Sequence, residues 1–339
     1  MSETGDSTTT DTLSASSTTG VEIVFLDVGQ GDATLVVDHG SKAALLIDCP
    51  AGREYVIEQA LQERSCRLTT AIITHWDLDH FGGILGVLDG SDVESLRFNH
   101  DTLIAHGKET RIIATLRRLR DRRYNHIEFG DAKQGLTGFI GSVRYELLAP
   151  SHRQLLDAVS TSDRNLASGV VLVEANGTRV LIGGDADGRV WSRIIAEGIM
   201  IKAKALKWPH HGALKRTTGR VDDQQLLEAV EPSVVVFSAG SRNVYGHPLP
   251  AAVRRIAQRG IGVMCTQVTE RCHAGLNQND VACAGTVSLM LSPGGEVTSS
   301  PSMSKLAQLI DGWTRPLCRY SATSGGLAAE STKDPALLN

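Results

Sequence analysis

The chain has 339 residues, with 34 Lys and Arg against 38 Asp and Glu, a formal charge of −4. That balance excludes a globally basic, histone-like nucleic-acid binder, although it leaves room for a local basic patch. Apolar residues make up 41% and aromatics 4%, enough for a sizeable core in one large domain or two ordinary ones. With no uninterrupted apolar run of about eighteen residues, the sequence predicts no membrane-spanning helix and no membrane partner.

Residues 1–20 are mostly Ser and Thr, with neither a basic start nor an apolar centre. They read as a disordered tail rather than a secretory signal. The six cysteines are too few and too scattered for a disulfide scaffold, so a reducing cytoplasm is the expected compartment. Folded sequence is expected from Val21, with strands over 21–26, 33–37 and 43–47 separated by Gly and Asp turns. Residues 53–64 have helical spacing, with Val56, Ile57, Ala60 and Leu61 on one face. A strand over 71–74 and a helix over 84–88 follow. Residues 89–142 are harder to place and read as an Arg-rich helical insert. Within it, 110–123 sets Ile112, Ile113, Leu116 and Leu119 opposite Arg117, Arg118, Arg120, Arg122 and Arg123. A strand over 143–149 precedes a hairpin of 170–174 and 179–182 turning at Asn176-Gly177. Helices over 190–199, 226–230 and 250–258 then alternate with strands over 203–208, 234–238 and 262–266. A strand over 286–291 closes a domain spanning 21–295, and 296–339 is expected as a weakly ordered tail. Strands with helices between them in both halves predict two mixed sheets with helices outside.

One loop stands apart chemically. His75-Trp76-Asp77-Leu78-Asp79-His80 places two imidazoles and two carboxylates directly after a strand. Four such groups repel or go unsatisfied unless a cation neutralises them, and one or two divalent metals would do so. His and Asp ligands on a strand-to-helix loop describe an open catalytic site, whereas a solvated polar loop is the plain alternative. The pattern then recurs. Asp48, Asp185, His210 with His211, and His247 each follow an apolar strand run. Any one of them alone is an ordinary turn residue, helix cap or surface histidine. Five strand ends carrying such groups would meet along one sheet edge.

Taken in order, residues 25–32 (FLDVGQGD), 46–48 (LID), 74–80 (THWDLDH) with Gly82-Gly83, Gly184-Asp185, 206–212 (LKWPHHG) and 243–248 (NVYGHP) resemble the metallo-β-lactamase fold. The resemblance is closer to the hydrolase domain of ComEC-type DNA-uptake proteins, and it spans about 21–292. It implies an α+β, four-layer αββα sandwich. His75 and Asp77 would hold one metal, Asp79 and His80 another, with Asp185 bridging them. His210 or His211, together with His247, would complete the shells. Asp79, Asp185, His211 and His247 would form the catalytic set around a metal-activated hydroxide. Asp48 would orient a ligand from behind, and Asp27, Asp32, Asn165 and Ser168 belong to the same supporting layer.

The departures from the family matter. Many members carry His where this chain has Asp77, and the more oxygen-rich set admits Mn²⁺ or Mg²⁺ beside Zn²⁺. Many also have a histidine where residues 163–168 have none, which predicts a weakly held first metal; His152 is the nearest histidine. The sequence shows no membrane channel like that of the uptake proteins, so DNA import by this chain alone is not expected.

A two-metal clamp suits phosphodiesters, and the resemblance implies a nuclease, because the uptake domain is thought to degrade the non-transported strand. Lys215, Arg216, Arg242 and Asn243 are the candidate substrate contacts. The arginines of 117–123 fit either a funnel for single-stranded nucleic acid or a solvated helix face, with only Tyr124 and Phe129 as nearby aromatics. The same metals would serve hydrolysis of a small ester, lactone or thioester. A third reading is a partner-regulated component of a multi-gene system, such as defence, with weak intrinsic activity. Separately, Cys265, Cys272, His273 and Cys283 fit either a structural Zn²⁺ site or ordinary buried thiols.

Overall fold

The computed structural model describes residues 20–99, 110–214, 220–273, 281–313 and 316–318. In chain order its strands and helices are β1 (Val21–Phe25), β2 (Thr34–Asp38), β3 (Ala43–Ile47), α1 (Glu54–Glu63), β4 (Arg67–Ile72), α2 (Leu78–Phe81), α3 (Ile84–Gly90), β5 (Ser95–Phe98), α4 (Thr110–Leu119), β6 (Glu128–Asp131), β7 (Thr137–Ile140) and β8 (Val143–Ala149). They continue with α5 (His152–Thr161), β9 (Val170–Ala175), β10 (Thr178–Ile182), α6 (Gly188–Ala196), β11 (Ala205–Lys207), α7 (Asp223–Val230), β12 (Val234–Phe237), α8 (Pro250–Gln258), β13 (Gly262–Cys265), β14 (Val287–Leu291), β15 (Val297–Ser300) and α9 (Met303–Ile310).

Period-two alternation along the strands builds the layers. β1 is buried at every position because its two faces enter different cores. Ile23 and Phe25, with Leu45 and Ile47 of β3, face the second sheet. Val24, with Leu35 of β2 and Leu46 of β3, faces outward, where Ile57 and Leu61 of α1 and Val87 of α3 cover it. On the other side, Trp191 of α6, Leu226 of α7 and Ile256 of α8 join the core of the second sheet. The result is helix, sheet, sheet, helix, as expected.

The first sheet runs β15-β14-β1-β2-β3-β4-β5-β6 and the second β13-β12-β11-β10-β9-β8-β7. Within them, β3 to β6 are mutually parallel, and so are β10 to β13. Parallel strands in register end at one edge: Ile47 pairs with Ile72, Ile182 with Lys207, and Lys207 with Val236. The loops after β3, β4, β10, β11 and β12 therefore leave the sandwich together, in the position where open α/β sheets place their ligand crevices. The Asn176-Gly177 turn has positive φ at both residues, 52° and 73°, and joins β9 to β10 as the sequence predicted.

Three expectations are corrected. Residues 89–142 hold the expected helix as α4 but are more than a helical insert: they also supply β5 and β6, which extend the first sheet, and β7, the edge of the second. These strands are short and carry Arg97, Glu128, Asp131 and two glycines, Gly130 and Gly138, so period-two patterning is faint. The region from 296 begins with β15, paired antiparallel to β14, and with α9, whose Leu306 and Ile310 enter the core. His152 is an exposed first residue of α5, behind a Ser151–Gln154 capping box, and among the described residues it joins neither the ligand groups nor the lining of the cavity described below. Residues 1–19 and 319–339 lie outside the described residues.

Candidate metal centre

The loop after β4 runs through α2 and then directly into α3, carrying its ligand types inward. His75 and His80 are buried, their ring centroids 4.2 Å apart. Asp48 fixes both the loop and the ring. Its Oδ1 accepts from the Thr74 N–H at 2.8 Å, while Oδ2 accepts from Thr74 Oγ1 and His80 Nδ1, both at 2.7 Å. This locks the His80 tautomer and turns Nε2 toward the centre. The FLDVGQGD loop packs alongside, with the Asp32 N–H donating to Asp79 O at 3.0 Å. Gly31 permits that approach: at φ +134° a Cβ there would lie 2.7 Å from Asp79 O.

Asp185 sits where the two sheets face each other. Its N–H donates to Ser168 Oγ at 2.8 Å. The preceding Gly184 has φ +49°, and a Cβ would meet that same hydroxyl at 2.6 Å. The two carboxylate oxygens look different ways. Oδ1 lies 3.2 Å from His80 Nε2 and 3.7 Å from His211 Nε2, whereas Oδ2 lies 3.7 Å from His210 Nε2 and 3.9 Å from His75 Nε2. Asp79 Oδ2 adds to the first side, 3.4 Å from His211 Nε2, and Asp77 Oδ2 to the second, 3.3 Å from His75 Nε2. His210 and His211 both adopt φ of 51°, an uncommon left-handed pair that splays the rings to opposite sides. His211 is buried with Nδ1 held by Ser238 O at 3.1 Å, while His210 is partly exposed.

The donor set fits a divalent metal. Nε2 of His75, His80 and His211 and Oδ1 of Asp185 are buried and make no hydrogen bond. An unpaired buried polar group costs about 1–3 kcal/mol, so four converging ones call for a cation between them. Ligand atoms gather within 4.8 Å in the sets His75, His80, Asp185 and Asp79, His80, His211.

The charges are arranged accordingly. Burial alone would push the His80 ring down, but the carboxylates of Asp185 and Asp48 outweigh it and hold the ring well above its usual range. Burial likewise opposes protonation of His211, yet Asp185 and Asp32 raise it to about 9. Burial would raise the Asp185 carboxyl, and His80, His211 and His75 instead hold it well below the carboxylate range. Without metal the His80 and His211 rings are thus protonated at neutral pH, and a metal must displace those protons. Apparent Zn²⁺ affinity should therefore rise with pH up to about 9, with proton release seen as a buffer-dependent heat of binding; a pH-independent affinity would contradict this.

Not every expected residue lies at the centre. Asp27 accepts from the Gly29 N–H at 3.3 Å and the Gln267 amide at 2.8 Å, bracing its own loop. Asn243 uses both ends of its amide on its own loop, donating to Gly240 O and His247 O and accepting from the His247 N–H. It braces its own loop and is not among the residues that line the cavity described below. Arg242 is exposed and does not line the cavity described below. Lys215 and Arg216 lie outside the described residues. Arg118 and Arg123 face Asp89 on the outer helix layer, at 3.8 and 3.2 Å. Among the described residues, no three of Cys265, Cys272, His273 and Cys283 bring ligand atoms within 4.8 Å of one another. Burial, and then the neighbouring thiols of Cys318, Cys283 and Cys272, push the Cys265 thiol well up, and the His273 ring packs edge-on against Trp313 at 5.0 Å.

Two residues stand out among those that escaped the sequence reading. Lys207, the last residue of β11, is fully buried and donates to Asp32 Oδ2, while Asp32 Oδ1 lies 3.4 Å from His211 Nδ1. A lysine among apolar strand residues in a motif was the available signal. The second is Tyr245. A cavity of about 390 Å³ opens beside the centre, lined by His210, His247, Asn165, Arg189, Arg220 and Tyr245 among others. The Tyr245 ring is 66% exposed and stacks on His247 at 5.7 Å and 24°.

Residues 26–228 match the profile of the metallo-beta-lactamase superfamily, and the chain belongs to that superfamily, whose members are mostly metal-dependent hydrolases. Among curated relatives it is similar to ComE operon protein 3 of Bacillus subtilis (strain 168), with 24% identity over 263 residues, 72% of this chain and 32% of that protein. It is also similar to recombination protein 2 of Haemophilus influenzae, with 27% identity over 268 residues, 76% of this chain and 29% of that protein. The chain thus spans about a third or less of these relatives. A solved structure, the metallo-beta-lactamase fold protein YhfI from Bacillus subtilis, aligns at TM-score 0.46 and 12% identity, covering 72% of this chain and 95% of that one. No helix among the described residues is long and apolar enough to cross a membrane.

Proposed function

We propose that this protein is a metal-dependent phosphodiesterase acting on nucleic acid. The observation that carries the reading is Asp185, with one carboxylate oxygen turned toward His80 and His211 and the other toward His75 and His210, beside an open cavity. Two divalent cations, Zn²⁺ or Mn²⁺, would supply Lewis acidity and a water of lowered pKa. Asp79, His80 and His211 would hold one, His75, Asp77 and His210 the other, and Asp185 both. Asp48 and Asp32 steady the rings of His80 and His211 from behind. His247, buried at the cavity wall with its ring 5.7 Å from that of His210, would meet the reacting phosphate. Arg220 and Arg189 line the same cavity, and Tyr245 offers an exposed face on which a base can stack. The names of the relatives, an operon protein of the ComE group and a recombination protein, support DNA as the polymer.

The test assays metal-loaded protein on single-stranded DNA, double-stranded DNA, bis(4-nitrophenyl) phosphate and 4-nitrophenyl acetate. Phosphodiesters should be cleaved. Tyr245→Ala should raise KM for single-stranded DNA about tenfold with little change in kcat, because base stacking is worth roughly 1–3 kcal/mol. Hydrolysis of the acetate ester with no phosphodiester cleaved would sink the reading.

A further inference from the structure

The stretch 163–168, which has no histidine, brings a guanidinium to the centre instead. Arg164 opens a 3₁₀ turn, Arg164–Ala167, with Asp163 as its cap. Its Nη1 donates to Asp77 Oδ1 and, at 3.3 Å, to Trp76 O. The other Asp77 oxygen faces His75 Nε2 at 3.3 Å, so both oxygens of this carboxylate are engaged. Asp79 differs: its Oδ2 faces His211 in a cluster with His80, all three with ligand atoms within 4.8 Å of one another. Among the described residues, every such cluster includes His80 or His211, and neither Asp77 nor His210 belongs to one.

A divalent ion on Asp77 would have to share the carboxylate with a fixed positive charge supplied by the chain. Like charges this close repel strongly where water is largely excluded. Arg164 is only 22% exposed at its side chain, so solvent screening is limited. Asp79 and Asp185 face imidazoles, which can give up a proton and bind the metal, and meet no guanidinium or ammonium among the described contacts.

We propose that Arg164 is a resident cation on the Asp77 side, so that the centre takes one divalent ion tightly on Asp79, His80, Asp185 and His211 and a second only weakly. The inference rests on the metal-centre reading above and concerns occupancy rather than hydrolysis. Arg164 is a positioning residue: it acts on Asp77, and through Asp77 on the second ion.

The experiment is Mn²⁺ titration of the full chain, followed by calorimetry, equilibrium dialysis and electron paramagnetic resonance. Wild type should bind one Mn²⁺ per chain, with the second at least about 100-fold weaker, and at one equivalent show the spectrum of an isolated ion. Arg164→His, which removes the permanent charge and offers an imidazole, should tighten the second ion about tenfold or more and give an exchange-coupled pair. Arg164→Ala should also tighten it, and Arg164→Lys, which keeps the charge, should leave occupancy unequal. Circular dichroism confirms that each variant is folded. Two equally tight ions in wild type, or a second-ion affinity unmoved in both Arg164→His and Arg164→Ala, overturns the proposal. A folded wild type that binds no ion removes the metal centre itself, and this inference with it.

Discussion

Asparagine in place of Asp185 should cut hydrolysis by about three orders of magnitude, roughly 4 kcal/mol of transition-state stabilisation, and should lower metal content in parallel. The side chain is the shared element: one oxygen serves the His80 and His211 side, the other the His75 and His210 side. An amide offers a single carbonyl oxygen and no charge, so it cannot serve both. Wild type should also gain thermal stability with Zn²⁺, about 4.1 kcal/mol at a thousandfold excess over Kd, because metal binds the folded chain. Asp185→Asn should lose most of that gain. Activity within about tenfold of wild type, with an unchanged metal-induced shift, would show that Asp185 holds no metal. A binding module with no hydrolytic role would tolerate the substitution in just that way.

Lys207→Met should be the most damaging substitution for folding. It leaves the Asp32 carboxylate buried without its cation, and breaking a buried pair from one side costs about 3–5 kcal/mol. Burial opposes the charged form of Asp32, and Lys207 and His211 together hold its carboxyl far below the usual range. The double variant Asp32→Asn/Lys207→Met should recover most of the stability, since both charges are then gone and the shapes are similar. Metal affinity should stay about tenfold weaker in the double variant, because Asp32 no longer backs His211, although Ser238 O still holds Nδ1. Thermal unfolding and Zn²⁺ titration read the two effects separately. A single variant within about 1 kcal/mol of wild type would mean that the pair is dispensable.

The elements around the centre were legible because each is written locally. β1 to β4 and β8 to β13 alternate or run apolar between turn residues, and Asn176-Gly177 announces its hairpin. The metal-type residues were legible for the same reason: Asp48, His75, Asp185, His211 and His247 each follow a strand run. What stayed hidden was short or long-range, apart from α5, a ten-residue helix behind a capping box that the sequence reading passed over. β5, β6 and β7 are four-residue strands interrupted by charge or glycine, and α9 lies in a stretch whose composition resembles a tail. Asn243 read as a substrate contact because its partners, Gly240 and His247, are set by loop geometry rather than by spacing.

The sequence by itself determined the family, the two-sheet sandwich and the residue types at the centre, since hydrophobic period and strand-end placement are properties of neighbours in the chain. Only the tertiary structure decided how those residues divide. The left-handed backbone at His210 and His211 sends the two rings to opposite oxygens of Asp185. The partners of Asp32, at Lys207, and of Asp77, at Arg164, come from 175 and 87 positions away. Which charge neutralises which is a matter of distance and burial across the two sheets, and no local pattern of residues encodes it.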